Sequence, residues 1–119
     1  MNLNNLSGRD LDAMVAQHVF GLLIEARTNT HTGKKDYVCA LRPEGPDPQW
    51  VCVAFYTGTM SASITLEVEL QNRGWKRIAS NWNQPGELGV VLEHTDGQRV
   101  EAVGPFKEAL CRAALKAVE

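Results

Sequence analysis

The chain has 119 residues, of which 44% are hydrophobic and 22% are charged, and its formal net charge is −2. A chain of this size buries about 65% of its unfolded surface in one core, and this composition excludes a wholly disordered protein. The weak net charge excludes a general electrostatic attraction to nucleic acid or to an anionic membrane, although a local basic patch stays open. We therefore expect a single domain over residues 1–119.

Neither a membrane span nor an export signal is visible in the sequence. No apolar run approaches the ~20 residues that cross a bilayer, and the N-terminus lacks a basic segment followed by an apolar one. The cysteines Cys39, Cys52 and Cys111 are odd in number and form no C-x-x-C pair. These features predict a cytoplasmic protein with reduced, buried cysteines and no membrane partner.

The first helix is predicted over residues 8–20. Ser7 followed by Asp10 resembles a capping box, in which side-chain oxygens accept hydrogen bonds from backbone N–H groups at a helix start. Gly21 is placed to end the helix in a left-handed conformation. Four residues with helical spacing form the stripe that we expect to face the core: Leu11, Met14, Val15 and His18.

Extended segments follow at 22–26, 37–41 and 50–55. The polar stretch between the first two favours a hairpin. Residues 42–48 contain three prolines, which cannot occupy the interior of a regular element, so this segment is predicted to be a loop.

The segment 59–73 carries two conflicting signals. Apolar residues alternate strictly with polar ones from Ile64 to Leu70, a pattern typical of a half-buried strand. Thr59 is also a competent helix N-cap, and Gly74 is placed as a helix stop. The residues alone leave both alternatives open.

The last part of the chain predicts a three-stranded meander followed by a helix. The strands are expected at 76–82, 88–94 and 98–103, joined by turns at 84–86 and at Asp96-Gly97. Pro105 suits the first turn of a helix, where its missing N–H costs nothing. The apolar stripe of this helix is formed by Phe106, Ala109, Leu110, Ala113, Ala114 and Ala117.

Three blocks of the sequence stand out in chain order. They are Leu11-Asp12-Ala13-x-Val15-Ala16-x-x-Val19-x-Gly21, then Tyr56-Thr57-x-Thr59-Met60-Ser61-Ala62 with Leu70 and Gly74-Trp75, and finally Ala109-Leu110-Cys111-Arg112-Ala113-Ala114-Leu115. In this order they resemble the phage ABA-sandwich domain family, whose members are small, mostly uncharacterised proteins of phages and prophages.

The resemblance implies a helix for 59–73 and the order α-β-β-α-β-β-β-α. The fold class expected is α+β, as a three-layer α/β/α sandwich with a mainly antiparallel or mixed sheet. The chain departs from the family at Thr59, where relatives carry Asp, and over 27–55, which matches no family block. The family has no established chemistry, so the resemblance implies an origin and a fold without an activity.

Metal, cofactor and catalytic motifs are absent from the sequence. The histidines His18, His31 and His94 have no metal-ligand spacing and no cysteine or carboxylate partners at ligand-like intervals, and no glycine-rich phosphate loop occurs. We therefore predict no metal, no cofactor and no catalytic residue.

One basic, aromatic cluster is the candidate for contact with nucleic acid. Cations could bind the phosphates while an indole stacks on a base. The alternative is that the first tryptophan packs on the core and that the cations stabilise a helix C-terminus. We favour this alternative, so nucleic acid is a disfavoured partner. The cluster consists of Arg73, Trp75, Lys76, Arg77 and Trp82.

The candidate ligand contacts are Tyr56, Thr57 and Thr59, before the middle helix. Backbone N–H groups at a helix N-terminus, with hydroxyl groups nearby, can receive an anion or a small polar ligand. The alternative, which we favour, is helix capping together with a buried tyrosine.

The function predicted from the sequence is that of a non-enzymatic accessory protein of a phage or prophage, which binds a host or phage protein or a small ligand. Inhibition of a bacterial defence system would be one version, by association alone. The alternatives are a small enzyme with a site near Tyr56, Thr57 and His94, a nucleic-acid-binding module, or a homo-oligomeric structural or regulatory module with Trp50 and Trp82 on its surface.

Overall fold

The structure is a computed structural model that describes residues 6, 8–28, 30–40, 49–84 and 87–118, with residues 79–84 and 87–88 described by their backbone alone. The predicted Ser7 cap, the loop 42–48 and the centre of the turn 84–86 lie outside these residues. The described elements, in chain order, are α1 (Gly8–His18), β1 (Leu23–Thr28), β2 (Lys35–Ala40), β3 (Trp50–Cys52), α2 (Met60–Asn72), β4 (Trp75–Gln84), β5 (Glu87–His94), β6 (Arg99–Gly104) and α3 (Phe106–Val118).

Helix α1 faces the core with the stripe that the sequence predicted, except at its C-terminal end. Leu11 and Val15 are fully buried, but His18 is exposed and is the last helical residue. The chain leaves the helix at Val19 and reaches Gly21, whose φ of 68° is the expected left-handed conformation.

Strands β1, β2 and β3 form an antiparallel three-stranded sheet in the order β1-β2-β3. The predicted hairpin is confirmed, with Ile24 opposite Cys39, and Val38 lies opposite Cys52. The predicted element order is wrong at one point, because the segment 50–55 contributes a paired strand. This strand ends at Cys52, and the chain then turns towards α2.

Helix α2 resolves the conflict over 59–73 in favour of a helix. Consecutive helical residues are rotated by about 100°, so residues two positions apart point to nearly opposite sides. Leu66 and Leu70 are therefore buried, whereas Ile64 and Val68 are exposed. The helix stops before Gly74, which has a φ of 89° and has no room for a Cβ atom beside His94.

Strands β4, β5 and β6 form the predicted antiparallel meander as a second three-stranded sheet. Trp75 pairs with His94 at one end, and Val90 pairs with Ala102 near the middle. Gly97 occupies the tight turn before β6 with a φ of 96°.

Helix α3 packs against β5 and β6 on one side and against α1 on another, while α1 also contacts β1 and β2. The two helices thus lie between the two sheets, and α2 contacts α3 and β4. The α+β class is confirmed, but the described strands form two sheets where one was predicted. The physical reason is that α1 and α3 separate the two groups of three strands, so each group pairs only within itself.

Within the described residues, no helix combines the length and the apolar character that crossing a membrane requires.

Candidate functional site

The segment from Tyr56 to Thr59 holds the start of α2 in place. The Thr59 hydroxyl oxygen accepts a hydrogen bond from the Ala62 N–H at 3.3 Å, which is the predicted cap. Tyr56 is buried, its ring stacks on Phe20 with 5.3 Å between centroids, and burial raises its pKa to about 12.

Thr57 joins this segment to helix α1. Its N–H donates to Asp12 Oδ1 at 2.8 Å, and its hydroxyl donates to the Gly8 carbonyl at 3.3 Å. Each of the three side chains predicted as ligand contacts thus makes a hydrogen bond or a ring contact within the protein. That they bind a ligand stays a prediction.

A polar network around Arg9 was missed in the sequence. The Arg9 guanidinium donates to Asp12 and to Asp36, at 2.9 Å each, and lies 3.9 Å above the Phe55 ring. Burial lowers the pKa of Arg9, but the hydrogen bonds and charges of the two carboxylates outweigh burial and raise it overall. Asp12 is fully buried, so this network ties α1 to the first sheet. Only the Arg9 and Asp12 spacing on one helix face could have indicated it.

A shallow groove of about 220 Å³ lies on the first sheet next to this network. Cys52 lines it and is exposed, so the prediction that all the cysteines are buried is wrong for this residue. Its sulfur lies 3.5 Å from Arg9 Nη2 and 3.8 Å from Asp36 Oδ2. Cys52 is exposed as the last residue of the three-residue strand β3. The groove is lined by Arg27, Thr28, Asp36, Tyr37, Val38 and Cys52.

The predicted nucleic-acid cluster is divided by the fold. Trp75 is buried, and its ring packs edge-on against His94 with 5.0 Å between centroids. Arg73 pairs with Glu69 on the same helix, and Arg77 lies over the ring of Phe106. Lys76 is exposed, and the side chain of Trp82 lies outside the described residues. The expectation that Trp75 packs on the core is confirmed.

His94 contacts the chain at the C-terminal end of α2, whereas Tyr56 and Thr57 lie before the N-terminal end of this helix. Its Nε2 lies 2.9 Å from the carbonyl oxygen of Arg73, to which it donates. A groove of about 300 Å³ beside it is lined by Gly74, Trp75 and Thr95 among others. Neither this groove, nor the groove on the first sheet, nor the groove between the starts of α2 and α3 is lined by both Thr57 and His94. In the described part of the chain, no group of three or more potential ligands could hold a metal ion.

The exposed side of α2 is unusual because it carries no charge. Met60, Ile64 and Val68 form an apolar stripe along it, with 56%, 53% and 48% of their surfaces exposed. The helix has only two charged residues, Glu67 and Glu69, which are half-buried and lie to the side. We call its seven exposed residues the neutral face of α2: Met60, Ser61, Ile64, Thr65, Val68, Gln71 and Asn72.

Both glutamates beside the neutral face are neutralised. Glu67 accepts from Arg77 Nε at 2.7 Å, and Glu69 accepts from Arg73 Nε at 3.1 Å. The surface is therefore apolar along its centre, and each glutamate beside it has an opposite charge next to it.

A third groove, of about 360 Å³, continues the neutral face at its N-terminal end. It lies between the starts of α2 and α3, where Met60 faces Phe106, and Lys107 Nζ lies 3.5 Å from the Gly58 carbonyl oxygen. The groove is lined by Thr57, Met60, Pro105, Phe106, Lys107 and Glu108.

No model of a known protein family matches the chain. A search of curated proteins likewise found no significant match.

Proposed function

We propose that the chain is a non-enzymatic protein-binding module and that the neutral face of α2 is its contact surface. The observation that carries the proposal is the stripe of Met60, Ile64 and Val68, each about half exposed on one side of a helix. A helix side that faces only water usually carries charged residues, which hydration favours. An apolar side that stays uncovered is typical of a binding surface.

The composition of the neutral face also matches the centre of protein interfaces. Such centres are poor in charged residues and enriched in residues such as methionine. Hydroxyl and amide groups, here those of Ser61, Thr65 and Asn72, can form the polar margin of such an interface. The groove beside Met60 would receive a side chain of the partner at one end of the surface.

The proposal can be tested with a photoreactive amino acid placed in the neutral face. Position 64 lies at the centre of the stripe, and Lys34, an exposed residue in the turn before β2, provides the control position. We expect illumination of intact cells to link position 64 to a protein, and position 34 to give no such product. The absence of any product at position 64 would overturn the proposal.

The origin of the protein belongs to the same proposal. We infer from the family resemblance that the chain is encoded by a phage or prophage and acts in the host cytoplasm. The order of α1, α2 and α3 along the chain, at the three resembling blocks, supports the inference. Neighbouring genes for phage replication, lysis or anti-defence proteins are expected, and a chromosomal neighbourhood without phage genes would contradict it.

A further inference from the structure

We propose that the partner of the neutral face is a second copy of this chain, so that two α2 helices pack antiparallel across a two-fold axis at Ile64. This inference rests on the proposed function and adds the identity of the partner. In such a pair each residue meets a residue on the same face of the other copy.

The absence of charge is the property that favours a second copy over an unrelated protein. Near a two-fold axis every charged residue lies close to its own image, and like charges close together repel. A surface for a different protein commonly uses charge, because complementary charges speed association and exclude wrong partners. The neutral face has no charged residue, and the adjacent Glu67 and Glu69 are already paired within the chain.

The lengths and positions of the side chains also fit an antiparallel pair. With Ile64 at the axis, Met60 lies opposite the partner's Val68, so the three apolar residues of each helix form one continuous seam. The partner's Gln71, about one helical turn beyond Val68, then extends past Met60 towards the groove beside it. The antiparallel arrangement also places the helix dipoles in opposite directions, which is the favourable orientation.

The weak net charge of the whole chain removes a second obstacle. Two copies of a strongly charged protein repel each other at the distances found in a dimer, whereas a formal charge of −2 gives little repulsion. Self-association is therefore opposed neither at the seam nor by the surface as a whole.

Light scattering after size-exclusion chromatography, at micromolar concentrations, measures the mass directly. We expect wild type to have twice the chain mass of 13.1 kDa. Ile64→Glu should have the mass of one chain, because it places two carboxylates against each other at the axis. Gln17→Glu adds one carboxylate at an exposed position of α1, outside the neutral face, and should keep the dimer. A wild-type protein with the mass of one chain, or a dimer that survives Ile64→Glu, would overturn the proposal.

Cysteine cross-linking tests the arrangement without adding a charge. In a Cys52→Ser background, which removes the exposed native thiol, Ile64→Cys should form a disulfide-linked dimer on mild oxidation. Thr65→Cys in the same background should stay unlinked, because a disulfide needs Cβ atoms about 3.5–4.5 Å apart. Faster linkage through position 65 than through position 64 would show that the axis does not lie at Ile64.

Photochemical linkage at position 64 separates the failure of this inference from the failure of the proposed function. A product of two identical chains supports the dimer. A product with a different protein overturns the dimer and supports the proposed function alone. No product of either kind overturns both.

Discussion

Helices α2 and α3 each have 13 residues, and both carry many apolar side chains, but the fold covers them to different degrees. α3 lies against α1 on one side and β5 and β6 on the other. α2 contacts α3 and β4 on one side only, and its stripe from Met60 to Val68 stays open. An apolar helical pattern thus marks a face that burial would stabilise. The sequence does not show whether that face is buried by the same chain.

The size of the side chains explains part of this difference. Ala109, Ala113 and Ala114 are fully buried, and these small residues let α3 approach its neighbours closely on more than one side. The open side of α2 has large flexible or branched residues, which point away from the core. α3 therefore stabilises the chain, and α2 presents a surface.

The largest expected effect is a loss of stability when a buried side chain of α3 is shortened. Leu110 is fully buried, so Leu110→Ala should lower the free energy of unfolding by about 2–5 kcal/mol through lost burial and a cavity. Ile64→Ala on α2, at a concentration low enough for single chains, should lower it by less than about 1 kcal/mol. Urea unfolding measures both variants. Equal losses would show that the α2 stripe is covered within the chain.

A smaller loss of stability is expected at alkaline pH, and it also arises from a residue of α3. Burial raises the pKa of the Cys111 thiol well above the usual range of a cysteine. Above pH 9 the unfolded chain loses this proton while the folded chain keeps it, so the stability falls as pH rises. From pH 9 to pH 10 this thiol should contribute a loss of about 1 kcal/mol.

Cys111→Ala tests this pH dependence. The variant should lose less stability between pH 9 and pH 10 than wild type, whatever its stability at pH 7. Denaturant unfolding at each pH provides the measurement. An unchanged slope would mean that solvent reaches this side of α3.

The smallest effect leaves the fold unchanged and compares the accessibility of the thiols. Cys52 is exposed, whereas Cys39 and Cys111 are buried. A thiol reagent should therefore modify one cysteine rapidly in the native protein and all three after unfolding. Cys52→Ser should abolish the rapid reaction. Rapid modification of this variant would reveal an opening of the core near α3 or β2.

Local patterns predicted the regular elements well because they depend on near neighbours. The meander β4-β5-β6 followed from turn residues and alternation, and the stripe of α3 followed from helical spacing. For α2 the residues favoured a strand and a helix equally. The family resemblance favoured the helix, and packing of Leu66 and Leu70 on one side agrees with it.

The polar network around Arg9 could not be predicted, because its members are distant in sequence. Asp12 and Thr57 are 45 positions apart, and nothing near either residue indicates that they meet. The same holds for Cys52, whose exposure depends on where β3 ends against β2. The candidate ligand residues were recognised as helix-capping groups, but their partners in α1 were not.

By itself, the sequence determined α1, α3, most of the strands and the buried sides of these two helices, since these follow from periodicity and backbone preference within a few turns. Only the tertiary structure decided that the strands form two sheets, that Asp12 is buried, and that Met60, Ile64 and Val68 are left exposed. The physical reason is that burial depends on which elements meet across the chain. The apolar pattern of α2 fits a buried face and an exposed binding face equally well, and only the packing of the chain distinguishes these two alternatives.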